Sequence, residues 1–111
     1  MDFKYSVIFT DAAHEELESI LDYLINTLCN LEAGKNLWFK SQEIIEKICI
    51  FPYAFPVYRG RFINNRIEYR KVNVHNYIVI YKILEDKKEI IIMSIIFGTS
   101  LSYEMFNKKI S

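Results

Sequence analysis

The sequence predicts a single α+β domain: a strand, a helical hairpin, a three-stranded antiparallel meander and a short C-terminal helix, in that order. Three observations carry that prediction. The stretch Tyr69 to Gly98 holds three runs rich in β-branched and aromatic residues, Tyr69 to Val74, Tyr77 to Leu84 and Ile90 to Phe97. Polar gaps at His75-Asn76 and Glu85 to Glu89 separate them, and gaps this short make neighbouring strands antiparallel. The second and third runs are apolar almost throughout, which marks strands covered on both faces. Upstream, Asp11 to Phe51 repeats apolar residues at helical spacing, which supplies a layer to cover one face.

Taken in order, Phe3 to Phe9 alternates Tyr5, Val7 and Phe9 with Lys4, Ser6 and Ile8, as a strand with one apolar face does. Thr10 is placed to cap a helix, and Asp11, Glu15 and Glu16 lie at its positive end. Ala13, Leu17, Ile20, Leu24 and Leu28 form its buried stripe to about Cys29, widened by Leu21 and Ile25. Asn30 caps a second helix with Glu32 in its first turn and Leu37, Ser41, Ile44, Ile45 and Ile48 inward; Trp38 lies beside that stripe. Pro52 ends it. So short a link makes the two helices an antiparallel hairpin. Pro52 to Gly60 reads as an irregular connection, and Phe62 to Arg66 as loop or an early start of the first meander strand. Ser102 caps the short terminal helix that carries Tyr103, Met105 and Phe106.

A chain of 111 residues, half of them apolar and with few Gly or Pro, makes one domain with a real core, spanning residues 1–111. Its formal net charge of zero argues against a general nucleic-acid binder. The charge is unevenly placed. Asp11 to Glu32 holds six acids and no Lys or Arg, whereas Arg59 to Lys71 holds five bases against Glu68. All four arginines, Arg59, Arg61, Arg66 and Arg70, lie in that second window, so two distinct surfaces are expected. No early apolar run resembles a leader and no apolar run is long enough to span a membrane. Cys29 and Cys49 lack metal-ligand spacing and read as reduced helix-packing residues of a cytoplasmic protein. No metal or other cofactor is expected.

Tyr5-x-Val7-x-Phe9-Thr10-x-x-Ala13 with Glu16-Leu17, Ile20 and Tyr23-Leu24, then Asn30 to Ala33, Ile44, Ile48 and Pro52, then Arg70-Lys71-Val72, Asn76-Tyr77 and Tyr81, and finally Ile96-Phe97-Gly98 with Tyr103-Glu104, resemble the RelE/ParE superfamily of bacterial toxins. The likeness covers nearly the whole chain and rests on the order and spacing of loose patterns. It implies a RelE/ParE-like fold and the toxin half of a type II toxin–antitoxin pair, neutralised by a cognate antitoxin. The RelE-like branch cuts messenger RNA on the ribosome; the ParE-like branch inhibits DNA gyrase.

Cleavage by a 2′-hydroxyl needs a proton acceptor, a proton donor and cations for the pentavalent phosphate. The resemblance implies an Arg just after the Tyr that opens the second meander strand, where this chain has Ile78. It implies further bases after the last strand, where Thr99-Ser100-Leu101-Ser102 stands. Arg61, Arg70, Lys71 and Tyr103 are the remaining candidates for catalysis. The reading is therefore a ParE-like toxin acting by binding, with a RelE-like nuclease and a non-toxic degenerate homologue as alternatives. Arg59, Arg61, Arg66, Arg70 and Lys71 are the candidate contacts to target or antitoxin, with Arg66 and Arg70 on one solvent-facing strand surface. His14 and His75 read as exposed polar residues, and Tyr77 and Tyr81 as packing on one shared face.

Overall fold

In the computed structural model, residues 5–58, 67–74 and 76–97 are described. β1 (Ser6–Phe9) leads into α1 (Asp11–Asp22), which continues as a π-helical turn, Tyr23–Thr27. α2 (Leu31–Ile50) follows, then β2 (Val57–Tyr58), β3 (Tyr69–Val74), β4 (Tyr77–Leu84), a 3-10 turn at Glu85–Lys87, and β5 (Glu89–Phe97). The five strands form one sheet in the order β1-β5-β4-β3-β2. β3, β4 and β5 are the antiparallel meander, whereas β1 pairs parallel to β5.

The helix starts follow the capping logic. Thr10 Oγ1 accepts from the Ala13 N–H at 3.1 Å, and Asn30 Oδ1 from the Ala33 N–H at 3.0 Å. The link between the helices is tighter than the pattern implies. The α-helix gives way at Tyr23, the Leu28 N–H reaches back to the Tyr23 carbonyl, and the Asn30 N–H to the Leu24 carbonyl. Cys29 takes a left-handed φ of 51°, closing the first helix as glycine usually does. It is exposed, so the reading of Cys29 as a packing residue is corrected; Cys49 is buried, and both thiols are free.

Both helices lie on one face of the sheet. Ala13, Leu17, Leu37 and Ile48 meet Val72, Val74, Val79, Tyr81, Ile90, Ile92 and Ile95, with Leu24, Ile44 and Tyr77 partly buried at the margin. Tyr77 and Tyr81 thus share the helix-facing side. A bulge in β5 opposite Ile80 and Tyr81 lets Ser94 donate to both Glu16 carboxylate oxygens at 3.0 Å while Ile95 enters the helix-side core. On the opposite face, Tyr58, Tyr69, Ile78, Ile80 and Ile96 form a second apolar cluster with Met93 against it.

Two expectations differ in detail, the connection after α2 and the start of the third meander strand. The stretch read as irregular contains β2, whose two residues pair antiparallel with Tyr69 and Arg70. It is too short to show alternation. The sheet is mixed, because β1 enters beside β5. Trp38 is 45% exposed on the outer surface of α2. The third meander strand begins one residue early, at Glu89. The start of the first strand before Tyr5, the segment Phe62 to Arg66, His75 and the C-terminal helix lie outside the described residues.

Gly34 marks the closest approach of α2 to the preceding helix: a Cβ there would sit 2.6 Å from Ile25 Cγ1. Helix propensity alone would make Gly34→Ala stabilising by about 1 kcal/mol. Overpacking of this size costs about 1–3 kcal/mol, and Cγ1 is too near the Ile25 backbone to swing aside. Urea denaturation should therefore show Gly34→Ala neutral or destabilised, and Ile25→Ala in the same chain should relieve the clash. A clear gain in stability for Gly34→Ala alone would show that the helices are not packed this closely.

Candidate functional site

The polar side chains with the most developed geometry gather where residues 51–56 cross the ends of β3 and β4. Pro52 and Pro56 keep this segment out of a ladder of its own, so its carbonyls need donors from elsewhere. The Tyr81 hydroxyl donates to the Pro52 carbonyl at 2.7 Å. Arg70 Nη1 donates to the Phe55 carbonyl at 2.6 Å and to the Tyr53 carbonyl at 3.4 Å. The Lys71 N–H donates to the Pro56 carbonyl at 3.0 Å. Arg70 Nη2 pairs with Glu68 Oε1 at 2.8 Å, and its guanidinium lies 5.2 Å from the centre of the Tyr53 ring. Burial pushes the Tyr81 phenol up to about 12, partly offset by Arg70, so Tyr81 stays a donor.

Arg70 is therefore not where its sequence position suggests. Its side chain is only 14% exposed and is spent on the 51–56 segment, because its place on β3 turns it to the helix-bearing face. Lys71, the next residue, belongs to the opposite face and is part-buried. The structure thus separates Arg70 from Lys71 rather than bringing them to one phosphate. The other candidates, Arg59, Arg61, Arg66 and Tyr103, lie outside the described residues. Ile78 is buried in the apolar cluster on the side away from the helices.

A second polar cluster, unmarked by any motif in the sequence, adjoins the first. Glu85 Oε2 accepts from the Tyr5 hydroxyl at 2.7 Å and from the Tyr53 hydroxyl at 2.8 Å, while Lys88 pairs with Oε1. The Lys88 ammonium also lies 5.2 Å from the centre of the Tyr5 ring. Lys88 takes a left-handed φ of 54°, and this places it over its own turn. The carboxylate ties the entry to β1, the 51–56 segment and the β4–β5 turn together. Hydrogen bonds from Lys88, Tyr5 and Tyr53 hold the Glu85 carboxyl down to about 2, and the Glu85 bonds raise both phenols. An open concavity of about 310 Å³, lined by Tyr53, Ile67, Glu68, Lys82, Ile83 and Leu84, lies beside it.

None of these groups is poised for proton transfer near neutral pH. Glu85 is a poor base, and the tyrosines that touch it are poorer acids than free phenol. His14 pairs with Glu18 at 2.9 Å on the exposed side of α1. Among the described residues no three His, Cys, Asp or Glu side chains converge to hold a metal ion, and no helix is long and apolar enough to cross a membrane. The arrangement is a scaffold of directed hydrogen bonds beside an open concavity.

Two measurements check this. Arg70→Ala should lose about 1–3 kcal/mol in denaturant titration, because it frees the Phe55 carbonyl and strands Glu68. Arg70→Lys should not restore it, since an ammonium lacks the planar fork. An unchanged midpoint for Arg70→Ala would show that the 51–56 segment does not depend on it. For Glu85 the folded-state value is depressed, so its contribution is fully present above the ordinary value of 4.5 and is lost as pH falls toward about 2. Urea midpoints measured across that window should fall for the wild type and fall less for Glu85→Gln; parallel curves would remove Glu85 from the acid response.

No functionally curated protein sequence matches the chain. Among solved structures, the chain is similar to that titled "Chromosomal ParDE TA system from P. aeruginosa", with a TM-score of 0.65 at 17% identity over 86% of this chain and 98% of that one. It is similar to the toxin–antitoxin complex RelBE2 from Mycobacterium tuberculosis, with a TM-score of 0.56 at 13% identity over 85% of this chain and 98% of that one. It is also similar to the archaeal RelE–RelB complex from Pyrococcus horikoshii OT3, with a TM-score of 0.52 at 15% identity over 87% of this chain and 98% of that one. At these identities the structures speak for the fold. The sequence itself decides the family: residues 7–99 match the model of the ParE toxin of the type II toxin–antitoxin system parDE, and the chain belongs to that family.

Proposed function

We propose that this ParE-family toxin acts by binding its target, with DNA gyrase as that target, and that a cognate antitoxin neutralises it. The observation that carries this reading is the environment of Ile78. The residue after the opening Tyr of β4 is where a nuclease of the RelE kind places an arginine. Here it is an isoleucine with 5% exposure, packed with Tyr58, Tyr69, Ile80 and Ile96. A pentavalent phosphate requires cations aimed at its oxygens, and the side chains packed around Ile78 are apolar. Arg70, a candidate for that role, is committed to the 51–56 segment.

The similarity to the toxin–antitoxin complexes of Mycobacterium tuberculosis and Pyrococcus horikoshii supports an antitoxin as partner. The basic stretch Arg59 to Lys71 supplies the proposed contacts, through Arg59, Arg61, Arg66 and Lys71, with Arg70 ordering the 51–56 segment. Guanidinium groups suit planar recognition of acidic side chains.

Induced expression without antitoxin should give filamentous cells with a DNA-damage response and intact transcripts. The purified protein should inhibit supercoiling by gyrase. Replacing Arg59, Arg61 and Arg66 together by Ala should weaken the inhibition by at least tenfold, with circular dichroism and the melting temperature recorded alongside to separate lost contact from lost fold. Cut transcripts with normal supercoiling would assign the RelE-like activity instead, and unchanged growth would assign a degenerate homologue.

A further inference from the structure

The face of the sheet turned away from the helices is buried, yet among the described residues no element lies over it. Tyr58, Tyr69, Ile78, Ile80 and Ile96 pack there at 0–8% exposure, and every one of them belongs to a strand. α1 and α2 send their buried side chains to the other face, and the 51–56 segment is tied to that face through Tyr81 and Arg70. A sheet face left to water carries polar side chains. Ile80, on the middle strand of the sheet, is instead wholly sealed. A covering layer is therefore required. These exposures are those of a single chain, so the chain's own residues supply the cover.

Four stretches lie outside the described residues, 1–4, 59–66, 75 and 98–111, and strand register separates them. β4 finishes at the end of the sheet where Tyr69 pairs with Lys82 and Glu89 with Leu84. Residues 59–66 depart from Tyr58 and come back to Ile67 at that end, since Tyr58 pairs with Tyr69. Residues 1–4 lead into β1 at that end too, where Ser6 pairs with Glu89 on the outermost strand. Ile78 and Ile96 pair with each other at the opposite end, with Ile78 about 13 Å along β4 from Lys82. His75 is a single turn residue. Residues 98–111 start at the right end, because Phe97 pairs with Tyr77, one position from the Ile78–Ile96 pair. The pattern of that stretch suits the role. Tyr103, Phe106 and Ile110 recur at spacings of three and four, which is one helical face, while Glu104, Met105, Lys108 and Lys109 fall off it. A helix over these residues spans about 12 Å, and crossing from β5 over β4 to β3 takes about 10 Å.

We infer that residues 98–111 fold back from β5 across β4 and β3 and seal this face, seating Tyr103, Phe106 and Ile110 on Ile78, Ile80 and Ile96. The tether to β5 makes the contact intramolecular, so it forms without a partner. Residues 100–111 lie beyond the stretch that matches the family, so membership of that family does not by itself supply this layer. The placement also bears on chemistry. Arg70 faces the helices, and Tyr103 comes to the opposite side of the sheet, so two of the candidates for RNA cleavage are held apart. A partner that used this face would have to displace the chain's own residues from it.

Isotope-labelled full-length protein, free of antitoxin, is measured by NMR spectroscopy. Nuclear Overhauser contacts from the rings of Tyr103 and Phe106 to the methyl groups of Ile78, Ile80 and Ile96 are expected. Contacts from those methyls to Phe62 and Ile63 in their place would hand the cover to residues 59–66 and overturn the inference. Rings of Tyr103 and Phe106 that touch no part of the sheet would overturn it as well. In a second measurement, Phe106→Asp and Ile110→Asp together should raise the fluorescence of a dye that binds exposed apolar surface several-fold and lower the melting temperature, because carboxylates cannot be seated on an apolar face. Met105→Asp, off the seated face, should leave both readings unchanged. Wild-type dye binding and melting temperature in the double variant would defeat the proposed seating. Should that variant fail to fold, the contacts in the unsubstituted protein decide.

Discussion

Three consecutive residues of β4, Val79, Ile80 and Tyr81, are sealed from solvent, at 1%, 0% and 0% exposure. Adjacent strand residues point to opposite faces, so this is possible only where both faces of the strand are covered. The rest of the molecule follows from that constraint. The meander needs the helical hairpin on one side, and α1 and α2 deliver Leu17, Leu37 and Ile48 to it. The other side is apolar around β4 as well, where Ile78, Ile80 and Ile96 pack with the rings of Tyr58 and Tyr69. Burying one side chain of this size contributes about 1.5–3 kcal/mol, so a cation placed among them would forfeit that and bear its own desolvation. The stability of the sheet thus favours an apolar residue at position 78.

The same strand explains why the 51–56 segment is ordered by β3 and β4 rather than by itself. Tyr81 is fully buried yet carries a hydroxyl, and a buried hydroxyl without a partner is costly. The Pro52 carbonyl, left over where α2 has ended, is that partner. Arg70 answers the carbonyls further along, and its Nε is buried without an acceptor among the described residues, a cost the other guanidinium contacts outweigh. Polar groups that look like a site in the sequence are here the means by which a proline-interrupted segment meets its hydrogen-bond requirement.

Much of the fold was legible because it is written in local patterns. Tyr69–Val74 and Tyr77–Leu84 are strands to the residue, since the turn at His75-Asn76 interrupts an otherwise continuous β-branched signal. Thr10 and Asn30 cap their helices because a side-chain acceptor three residues ahead of a free N–H is a local arrangement. What stayed illegible depends on partners distant in sequence. β2 is a strand only because Tyr69 and Arg70 lie beside it. β1 is parallel only because the chain returns to β5 across the sheet. The Tyr5–Glu85 bond joins residues 80 apart, and neither residue carries a motif. Arg70 was misread as solvent-facing because parity along a strand says which residues share a face but not which face the helices cover.

That ambiguity also decides how the basic stretch is to be understood. Arg59, Arg61, Arg66 and Arg70 look alike in sequence, yet Arg70 is tied to β3 in register with Val57 and faces the helix layer, where its charge is answered by Glu68 and two carbonyls. Once Arg70 and Glu68 neutralise each other, the net +4 of Arg59 to Lys71 is held by Arg59, Arg61, Arg66 and Lys71. On α1, Glu16 accepts from Ser94 and Glu18 pairs with His14. A neutral chain therefore still concentrates positive charge in one stretch of its sequence, Arg59 to Lys71, and negative charge in another, Asp11 to Glu32. Such a separation leaves net charge uninformative about partners and makes the position of each arginine, not its number, the quantity that determines binding.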